Sequence, residues 1–293
     1  MKSKSVAMKY VASFSGGKDS TAMVLRLIDE GRPLDEIVFF DTGWEFPQMY
    51  DHIAKFEEFT GRTVTMVHPM RPFDWMMIRY PVVARKGPMK GQVYRHGHGW
   101  PSMQRRWCTR MKYERIDKHC GDAVQYLGIA ADEANRMTSA NRTSTKFELK
   151  FPLVEWDMDE AACLAYCRVR GFDWGGLYDI FPRVSCYCCP LQRIGQLRNL
   201  RRHFSELWAQ MLAWDAKLGA HNRGFRGYDK VSDLERRFAQ EDRQGELFVR
   251  QEVNMTSNDV VDGARPAATA WAEDGRRRTE EDDGRKSVER IDK

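Results

Sequence analysis

The sequence lacks long apolar runs. Its longest apolar stretches have the length of a β-strand, and none approaches the about 20 residues that a membrane-spanning helix needs. The first glycine-rich loop is also not preceded by the apolar stretch and small-residue cleavage pattern of a secretory leader. A membrane-spanning role is therefore unsupported, and we expect a cytoplasmic protein without a membrane partner.

The chain also lacks the cysteine pattern of a disulfide-bonded extracellular protein. It has seven cysteines, an odd number, and three of them lie in the segment SCYCCP at residues 185–190. Neighbouring thiols of this kind would exchange partners in an oxidising compartment. In a reducing cytosol such a cluster is more typical of ligands.

Apolar residues are plentiful even though no long run exists. They make up 42% of the 293 residues, with nine Trp and fifteen Phe, which excludes a wholly disordered chain. The net charge is +5, but residues 253–293 carry eight basic and ten acidic residues and few apolar ones. We therefore expect a basic body that favours anionic partners, and a disordered charged tail.

Strand-like and helix-like segments alternate along the chain. KYVASF at residues 9–14, EIVFFDTG at 36–43 and RTVTMVHP at 62–69 are strand-like, with helical patterns between them that end at Gly31 and Gly61. This order predicts an α/β fold with a doubly wound, mostly parallel, Rossmann-like sheet and a helical C-terminal extension. Such sheets bind ligands at the carboxyl ends of their strands.

The segment SFSGGKDST at residues 13–21 lies between the first strand and the first helix. It does not match the Walker phosphate loop, because Ala12 and Asp19 stand where that pattern has glycine and Ser or Thr. The segment still suits an anion, since a glycine turn, Lys18 and a helix start converge there. A helix capped by Asp19 or Ser20 is the simpler alternative, but it does not account for the lysine.

The same residues resemble the pyrophosphate loop, S-G-G-K-D-S, of the adenine nucleotide alpha hydrolase-like (PP-loop ATP pyrophosphatase) superfamily. Its members bind ATP and cleave it between the α- and β-phosphates, usually adenylating a substrate. The resemblance implies bound ATP and Mg²⁺, with Lys18 and Asp19 as catalytic residues. It also implies that the whole loop holds the pyrophosphate portion, through Ser15, Gly16, Gly17, Lys18, Asp19 and Ser20.

Three further segments resemble the phosphoadenosine phosphosulfate (PAPS) reductase family within this superfamily. They are FFDTGWEFPQMYD at residues 39–51, GHGWPSMQRRWCTRMK at 97–112 and GIAADEANR at 128–136. The resemblance extends over about residues 9–218 and implies that Asp41 and Thr42 contact the nucleotide. Ala130 departs from the family pattern G-x-R-x-x-E-S, so Glu133 and Arg136 are the substrate-binding candidates of the third segment.

The family contains sulfonucleotide reductases, subunits of sulfate adenylyltransferase and enzymes that thiolate nucleic acid. The intact G-G-K-D loop, and the absence of cysteine after Cys189, disfavour reduction. The resemblance favours an ATP pyrophosphatase that adenylates an acceptor for sulfur transfer, with a sulfur donor and tRNA or DNA as partners. The alternatives are a PAPS or adenosine phosphosulfate (APS) reductase, a sulfate adenylyltransferase subunit and a non-catalytic nucleotide-sensing module.

Four cysteines are candidate metal ligands: Cys108, Cys186, Cys188 and Cys189. The spacing of Cys186 and Cys189 suits zinc, and iron–sulfur clusters also take cysteine thiolates. The resemblance to thiolation enzymes implies an iron–sulfur cluster, with zinc and free thiols as the alternatives. Basic residues around Cys108 would stabilise thiolates and an anionic substrate: Arg105, Arg106, Arg110 and Lys112.

Three segments are predicted on this basis. Residues 1–182 form the PP-loop nucleotide-binding domain, residues 183–252 the cysteine cluster and helical C-terminal region, and residues 253–293 the tail. Within the first, residues 71–104 are rich in Pro, Gly, Met and His, and we expect a lid or a substrate loop there.

The predicted helices also contain a pair of cysteines and a group of arginines. Cys163 and Cys167 lie one helical turn apart, and we interpret them as core packing. Four arginines interleaved with leucines fit either a surface for a phosphate backbone or a solvated helix face: Arg193, Arg198, Arg201 and Arg202.

Overall fold

The computed structural model describes residues 8–137, 148–218, 224–226 and 229–258, with residues 245–258 described by their backbone alone. The chain divides into two compact units, Met1–Glu241 and Asp242–Lys293. The boundary expected near residue 182 therefore falls inside the first unit. Of the tail expected from residue 253, residues 253–258 end a helix and the rest lies outside the described residues.

A five-stranded parallel sheet forms the centre of the first unit, in the order β3-β2-β1-β6-β7. A separate antiparallel hairpin pairs β4 with β5. The strands are β1 (Tyr10–Phe14), β2 (Glu36–Phe40), β3 (Val64–Val67), β4 (Pro81–Val83), β5 (Val93–His96), β6 (Val124–Leu127) and β7 (Leu149–Lys150). The α/β fold with a mostly parallel sheet is thereby confirmed.

Helices flank this sheet and continue beyond it. They are α1 (Lys18–Asp29), α2 (Pro47–Thr60), α3 (Phe73–Ile78), α4 (Trp107–Cys120), α5 (Pro152–Glu155), α6 (Glu160–Val169), α7 (Leu177–Ile180), α8 (Ile194–His203), α9 (Ser205–Lys217) and α10 (Val231–Asn258). Short 3₁₀ turns occur at Ala131–Glu133 and Trp174–Gly176. Among the described residues, no helix combines the length and the apolar content needed to cross a lipid bilayer.

Helix α1 is buried along most of its length, because it packs against α6 as well as following the central strand β1. Strands β1 and β2 present buried residues on both faces, as is typical of parallel strands covered by helices. Cys163 and Cys167, on α6, are fully buried in this core. The Cys167 Sγ lies 3.5 Å from the Lys18 carbonyl oxygen, so α6 packs directly against the first turn of α1.

Residues 71–104 contain regular structure that the composition did not indicate. Helix α3 is followed by the β4–β5 hairpin, in which Pro81 pairs with His96 and Val82 with Arg95. The register shifts between Val82 and Val83, and no residue of the two strands is buried. A hairpin without a buried face gives no apolar alternation in the sequence, so periodicity did not indicate it.

The arginine-rich face of α8 is occupied by carboxylates of α10. Arg198 forms two hydrogen bonds with Glu241, and Arg201 forms two with Glu235. The Trp208 indole also donates to Glu235, at 2.6 Å. These two guanidinium groups therefore join α8 to α10. They are occupied by glutamates, so two of the four arginines considered for a phosphate backbone already have carboxylate partners.

Two strands of the sheet end against the start of α1. Gly128, immediately after β6, approaches so closely that a Cβ atom there would lie 2.9 Å from the Ser20 Cα and 3.0 Å from the Ser20 backbone nitrogen. Backbone atoms cannot move aside as a flexible side chain can. The position of α1 on the carboxyl edge of the sheet thus requires a residue without a side chain at 128.

We predict that Gly128→Ala lowers the free energy of unfolding by about 1–3 kcal/mol, because the added methyl group overpacks against the α1 backbone. Gly195→Ala is the matched control, since a Cβ added at this helical position would meet no neighbouring atom within 4 Å. The control should change stability by less than about 1 kcal/mol in urea denaturation. Equal midpoints for Gly128→Ala and the wild type would refute the close approach.

Candidate functional site

A cleft of about 360 Å³ opens at the carboxyl ends of the parallel strands. One wall carries the glycine loop and charged residues near it: Ser15, Gly17, Lys18, Asp19, Glu133, Arg136 and Glu160. A second group of lining residues carries thiols and basic side chains: Arg106, Cys108, Lys112, Arg183, Cys186, Cys188 and Cys189. We call these the loop wall and the thiol wall.

The glycine loop is closed by its own two serines. The Ser15 and Ser20 hydroxyls lie 3.0 Å apart, and the Ser20 hydroxyl donates to the Gly17 carbonyl at 3.0 Å. Gly16 has a positive φ of 74°, and a Cβ there would lie 2.3 Å from the Met49 Sδ. Helix α1 begins at Lys18 with Gly17 as its cap, so the simpler alternative of a helix capped by Asp19 or Ser20 does not hold.

Lys18 is the charged centre of the loop wall. Its buried ammonium donates to Asp19 Oδ1 at 2.8 Å and to Glu160 Oε2 at 2.6 Å. Burial opposes the charge, but these two hydrogen bonds outweigh it and raise the pKa of Lys18. Burial also raises the pKa of Asp19, against the effect of its bond to Lys18. The ammonium therefore stays protonated within a cleft that excludes much of the water.

Two aromatic residues from the segment around α7 form hydrogen bonds with the backbone of the glycine loop. The Trp174 indole donates to the Gly16 carbonyl at 2.7 Å, and the Lys18 backbone N–H donates to the Tyr178 hydroxyl at 2.8 Å. His52 stacks on Trp174 at 4.6 Å and contacts the Thr21 hydroxyl at 3.1 Å. Burial lowers the pKa of His52 to about 3, so the ring is neutral in this packing.

Thr42 and Glu45 connect the end of β2 with the thiol wall. The Thr42 hydroxyl donates to Glu45 Oε1 at 2.8 Å, and the Cys186 Sγ lies 3.5 Å from both the Thr42 and the Glu45 oxygens. Burial raises the pKa of Glu45, and the Lys112 charge opposes that rise. A partly buried carboxyl group thus lies directly against one of the candidate ligands.

Burial controls the acidity of the four candidate ligands. It raises the pKa of Cys108 and Cys189 and raises that of Cys186 and Cys188 well above the usual range for a thiol. Lys112 lowers the pKa of Cys108 and Cys186, and Arg183 lowers that of Cys189, but neither charge overcomes burial. A bound metal would be needed to hold these sulfurs as thiolates at neutral pH.

The four cysteines of the thiol wall are a donor set that both metals accept. Four thiolates hold a structural zinc ion, and four thiolates also hold an iron–sulfur cluster. Within the part of the chain that the structure describes, no three His, Cys, Asp or Glu side chains are grouped closely enough to hold one ion. The cysteines share one cleft, and a bound metal or cluster would have to draw their sulfurs together.

Some predicted site residues lie away from the cleft. Arg110 is exposed and pairs with Glu114 at 2.7 Å, whereas Cys108, Thr109 and Lys112 face the cleft. Residue 110 lies two helical steps, or about 200°, from residue 108 and so points elsewhere. Arg105 belongs to a turn with Ser102 and does not line the cleft.

Other predicted residues support the cleft from outside it. Asp41 accepts from the Gly43 N–H and the Tyr50 hydroxyl, both at 2.8 Å, and so shapes the turn that presents Thr42. Gly16 and Ser20 shape the glycine loop in the same way.

Glu133 and Arg136, from the third segment, both line the cleft and pair with each other. Ala130, in the same segment, is buried and contributes no charge to the cleft.

Sequence reasoning missed four residues of the site: Glu45, Glu160, Tyr178 and Arg183. Glu45 lies within the segment that resembles the PAPS reductase family, and a charge surrounded by apolar residues was an available signal. Glu160 and Tyr178 contact Lys18 across 142 and 160 positions of sequence. Spacing along the chain carries no signal for contacts of that range.

Comparison with known proteins identifies one family model. The phosphoadenosine phosphosulfate reductase domain matches residues 9–192, which contain both walls of the cleft. A protein of unknown function from Methanocaldococcus jannaschii is 24% identical over 211 residues, 68% of this chain and 39% of the relative. Adenosine 5'-phosphosulfate reductase 2 of Bacillus subtilis is 24% identical over 190 residues, 62% of this chain and 73% of the relative. The chain spans less than half the length of the archaeal relative.

Two solved structures are similar to this one at low sequence identity. A phosphate complex of PAPS reductase from Candida auris has a TM-score of 0.40 and 18% identity, covering 62% of this chain and 84% of its own. The U34-tRNA thiolase NcsA from Methanococcus maripaludis, with its [4Fe-4S] cluster, has a TM-score of 0.37 and 16% identity, covering 78% and 80%.

We predict that iodoacetamide at pH 8 modifies Cys108 and Cys189 of the metal-free protein and spares Cys163 and Cys167. The first two are partly exposed in the cleft, whereas burial excludes the reagent from the other two and raises the pKa of Cys163 to about 12. Peptide mass spectrometry measures the labelling, and urea-unfolded protein, labelled at all seven cysteines, is the control. Labelling of Cys163 as fast as Cys108 would contradict the arrangement.

Proposed function

This chain belongs to the phosphoadenosine phosphosulfate reductase domain family, and on that premise we propose that it is an ATP pyrophosphatase that adenylates an acceptor for sulfur transfer. The observation that carries the proposal is the buried Lys18 ammonium. It stands at the start of α1 and lines the same cleft as four cysteines. A group suited to bind phosphate and groups suited to sulfur chemistry thus line the same cavity.

The first step is transfer of the adenylyl group. An oxygen of the acceptor attacks the α-phosphorus of ATP, the bond from that phosphorus to the β-phosphate oxygen breaks, and pyrophosphate leaves. Lys18 and the N–H groups at the start of α1 stabilise the negative charge that develops on the leaving pyrophosphate. The bond from the Lys18 N–H to the Tyr178 hydroxyl stays in place and keeps the start of α1 oriented toward the phosphates.

Carboxylates on the loop wall have a second role when ATP is present. The polyphosphate competes with Asp19 and Glu160 for the Lys18 ammonium, which releases carboxylate oxygens toward the cleft. Mg²⁺ in nucleotide sites takes one or two carboxylates together with phosphate oxygens and water. Asp19 and Glu160 are therefore the residues that would hold Mg²⁺ against the phosphates.

The second step replaces the adenylated oxygen by sulfur. A sulfur nucleophile forms a bond to the acceptor carbon, and the carbon–oxygen bond breaks so that AMP leaves with the oxygen. Cys108, Cys186 and Cys189 would hold an iron–sulfur cluster, with Cys188 as a further candidate, and that cluster would supply or activate the sulfur. Lys112, Arg106 and Arg183 line the same wall and compensate the negative charge of thiolates and of an anionic acceptor.

Reduction of a sulfonucleotide is the second candidate, since the Bacillus subtilis relative carries the name of an APS reductase. A reductase would bind PAPS or APS in this cleft and consume it with a thiol donor, without releasing pyrophosphate from ATP. Incubation with each sulfonucleotide and thioredoxin, beside incubation with ATP and sulfate, tRNA or DNA, separates the two functions and identifies the acceptor class.

We expect Lys18→Met to reduce the rate of pyrophosphate release by about 100- to 1,000-fold, because a group that stabilises the leaving charge is lost. Lys9→Met is the matched control, since Lys9 lies at the opposite end of β1 and pairs with Glu36 on the surface. A coupled assay of pyrophosphate with the active acceptor measures both rates. Equal rates for Lys18→Met and wild type, or no release with any acceptor, would refute the proposal.

Iron content tests the thiol wall independently of turnover. After anaerobic reconstitution, the wild-type protein should contain iron and sulfide in equal amounts, and Cys108→Ser, Cys186→Ser and Cys189→Ser should each lose most of both. Cys120→Ser is the control, because Cys120 is buried at the far end of α4 and does not line the cleft. A colourless protein that contains zinc would exclude the cluster, and full iron in the three variants would exclude these cysteines as its ligands.

A further inference from the structure

One continuous stretch of the chain beside the cleft contains basic residues and no acidic ones. Residues 75–113 contain no Asp or Glu. They contain nine basic residues: Arg79, Arg85, Lys86, Lys90, Arg95, Arg105, Arg106, Arg110 and Lys112. Nine positive charges exceed the net charge of the whole chain, +5, so the remainder of the chain is net acidic. Charge of one sign concentrated in this way favours a polyanionic partner.

Within the described part of the chain, most of these charges form no ion pair with a carboxylate. Arg110 pairs with Glu114, and Arg105 has contacts of its own. For the other seven, the described ranges contain no ion pair with an acidic side chain. The arginines of α8 differ in this respect, since Arg198 and Arg201 are each bound by a glutamate of α10. Unpaired basic side chains can bind phosphates without first breaking an internal ion pair.

The β4–β5 hairpin, with its flanking residues 79–96, also exposes apolar and aromatic side chains. We call this segment the hairpin arm. Val83 and Val93 form a cross-strand pair, and both are exposed, as is Met89 near the turn. The Tyr94 ring is 49% exposed, and the Arg95 guanidinium carbon lies 5.6 Å from its centroid. An exposed ring among basic residues is the arrangement on which unpaired bases stack.

The base of the hairpin arm is fixed to the thiol wall. Tyr80 stacks on His98 at 4.6 Å, and His98 stacks on Trp107 at 5.5 Å. Trp107 is the first residue of α4 and directly precedes Cys108. The Gly97 N–H donates to the Tyr80 carbonyl at 2.7 Å, and a Cβ at Gly97 would lie 2.3 Å from the Met77 carbonyl oxygen. A ligand held by the arm is thus held beside the cleft.

We propose that the hairpin arm is a docking surface for an unpaired polynucleotide strand. Arg79, Arg85, Lys86 and Lys90 contact its phosphates, and Tyr94 stacks on a base. Arg106, exposed and at the edge of the cleft, continues the basic path toward Cys108. If the chain transfers sulfur as proposed above, the bound strand is the acceptor, and in this respect the inference rests on the proposed function. Binding of the strand to the arm requires neither ATP nor turnover.

Fluorescence anisotropy tests the docking surface directly. The full-length chain, without ATP, is titrated into labelled 20-nucleotide single strands of mixed sequence, one of RNA and one of DNA, and into the corresponding duplexes. We expect binding to a single strand that weakens as salt rises from about 50 to 200 mM. The more tightly bound of the two single strands shows whether the acceptor is RNA or DNA.

Variants separate phosphate binding from stacking. Lys86→Ala/Lys90→Ala should reduce the slope of log affinity against log salt by about 1.4, or about 0.7 for each phosphate that is no longer neutralised. Tyr94→Ala should weaken binding by about 5- to 100-fold, whereas Tyr94→Phe keeps the ring and should stay within about twofold of wild type. Arg62→Ala/Lys118→Ala removes two exposed charges outside the 75–113 stretch and should also stay within about twofold.

Several results would overturn the proposal. They are no binding of either single strand, tighter binding of the duplexes, equal losses in the Arg62/Lys118 control, and unchanged binding by Tyr94→Ala. If the exposed apolar residues instead join two copies of the chain, sedimentation would show a dimer that Tyr94→Ala dissociates without loss of nucleic-acid binding. Failure of the proposed function is distinguishable, because strand binding would persist while no pyrophosphate is released.

Discussion

The buried ammonium of Lys18 is the interaction on which the arrangement of the cleft depends. Its charge is stabilised by Asp19 and by Glu160, which lie on different helices, so the ion pairs also join the start of α1 to the start of α6. A buried charge left without these partners would destabilise the fold strongly. The same electrostatic demand makes the site suitable for a polyphosphate, which can replace the carboxylates as the counter-charge.

The glycine loop is held rigid by contacts from distant parts of the chain. Trp174 and Tyr178 bond to consecutive parts of the loop, and His52 packs between Trp174 and Phe14. Catalysis by charge stabilisation requires donors that are already oriented before the reaction begins. The aromatic layer behind the loop provides that orientation, while the backbone N–H of Lys18 remains close to the open cleft.

The alternation of apolar strands and helices predicted the sheet because parallel strands buried on both faces give continuous apolar segments. The glycine loop was predictable because its residues are adjacent in sequence. Glu160 and Tyr178 were not, since they meet Lys18 only through the fold. Arg110 lies outside the cleft because nearness along a helix does not determine the face, whereas Lys112, one turn beyond Cys108, lines the cleft.

We propose that nucleotide activation occurs on the loop wall and sulfur chemistry on the thiol wall of one cleft, and the central claim is that ATP is cleaved between its α- and β-phosphates at Lys18. The most direct measurement is ³¹P NMR of ATP incubated anaerobically with the protein, magnesium and the acceptor. The account predicts AMP and pyrophosphate as the products that accumulate. ADP and inorganic phosphate, or ATP left intact while a sulfonucleotide is consumed, would contradict it.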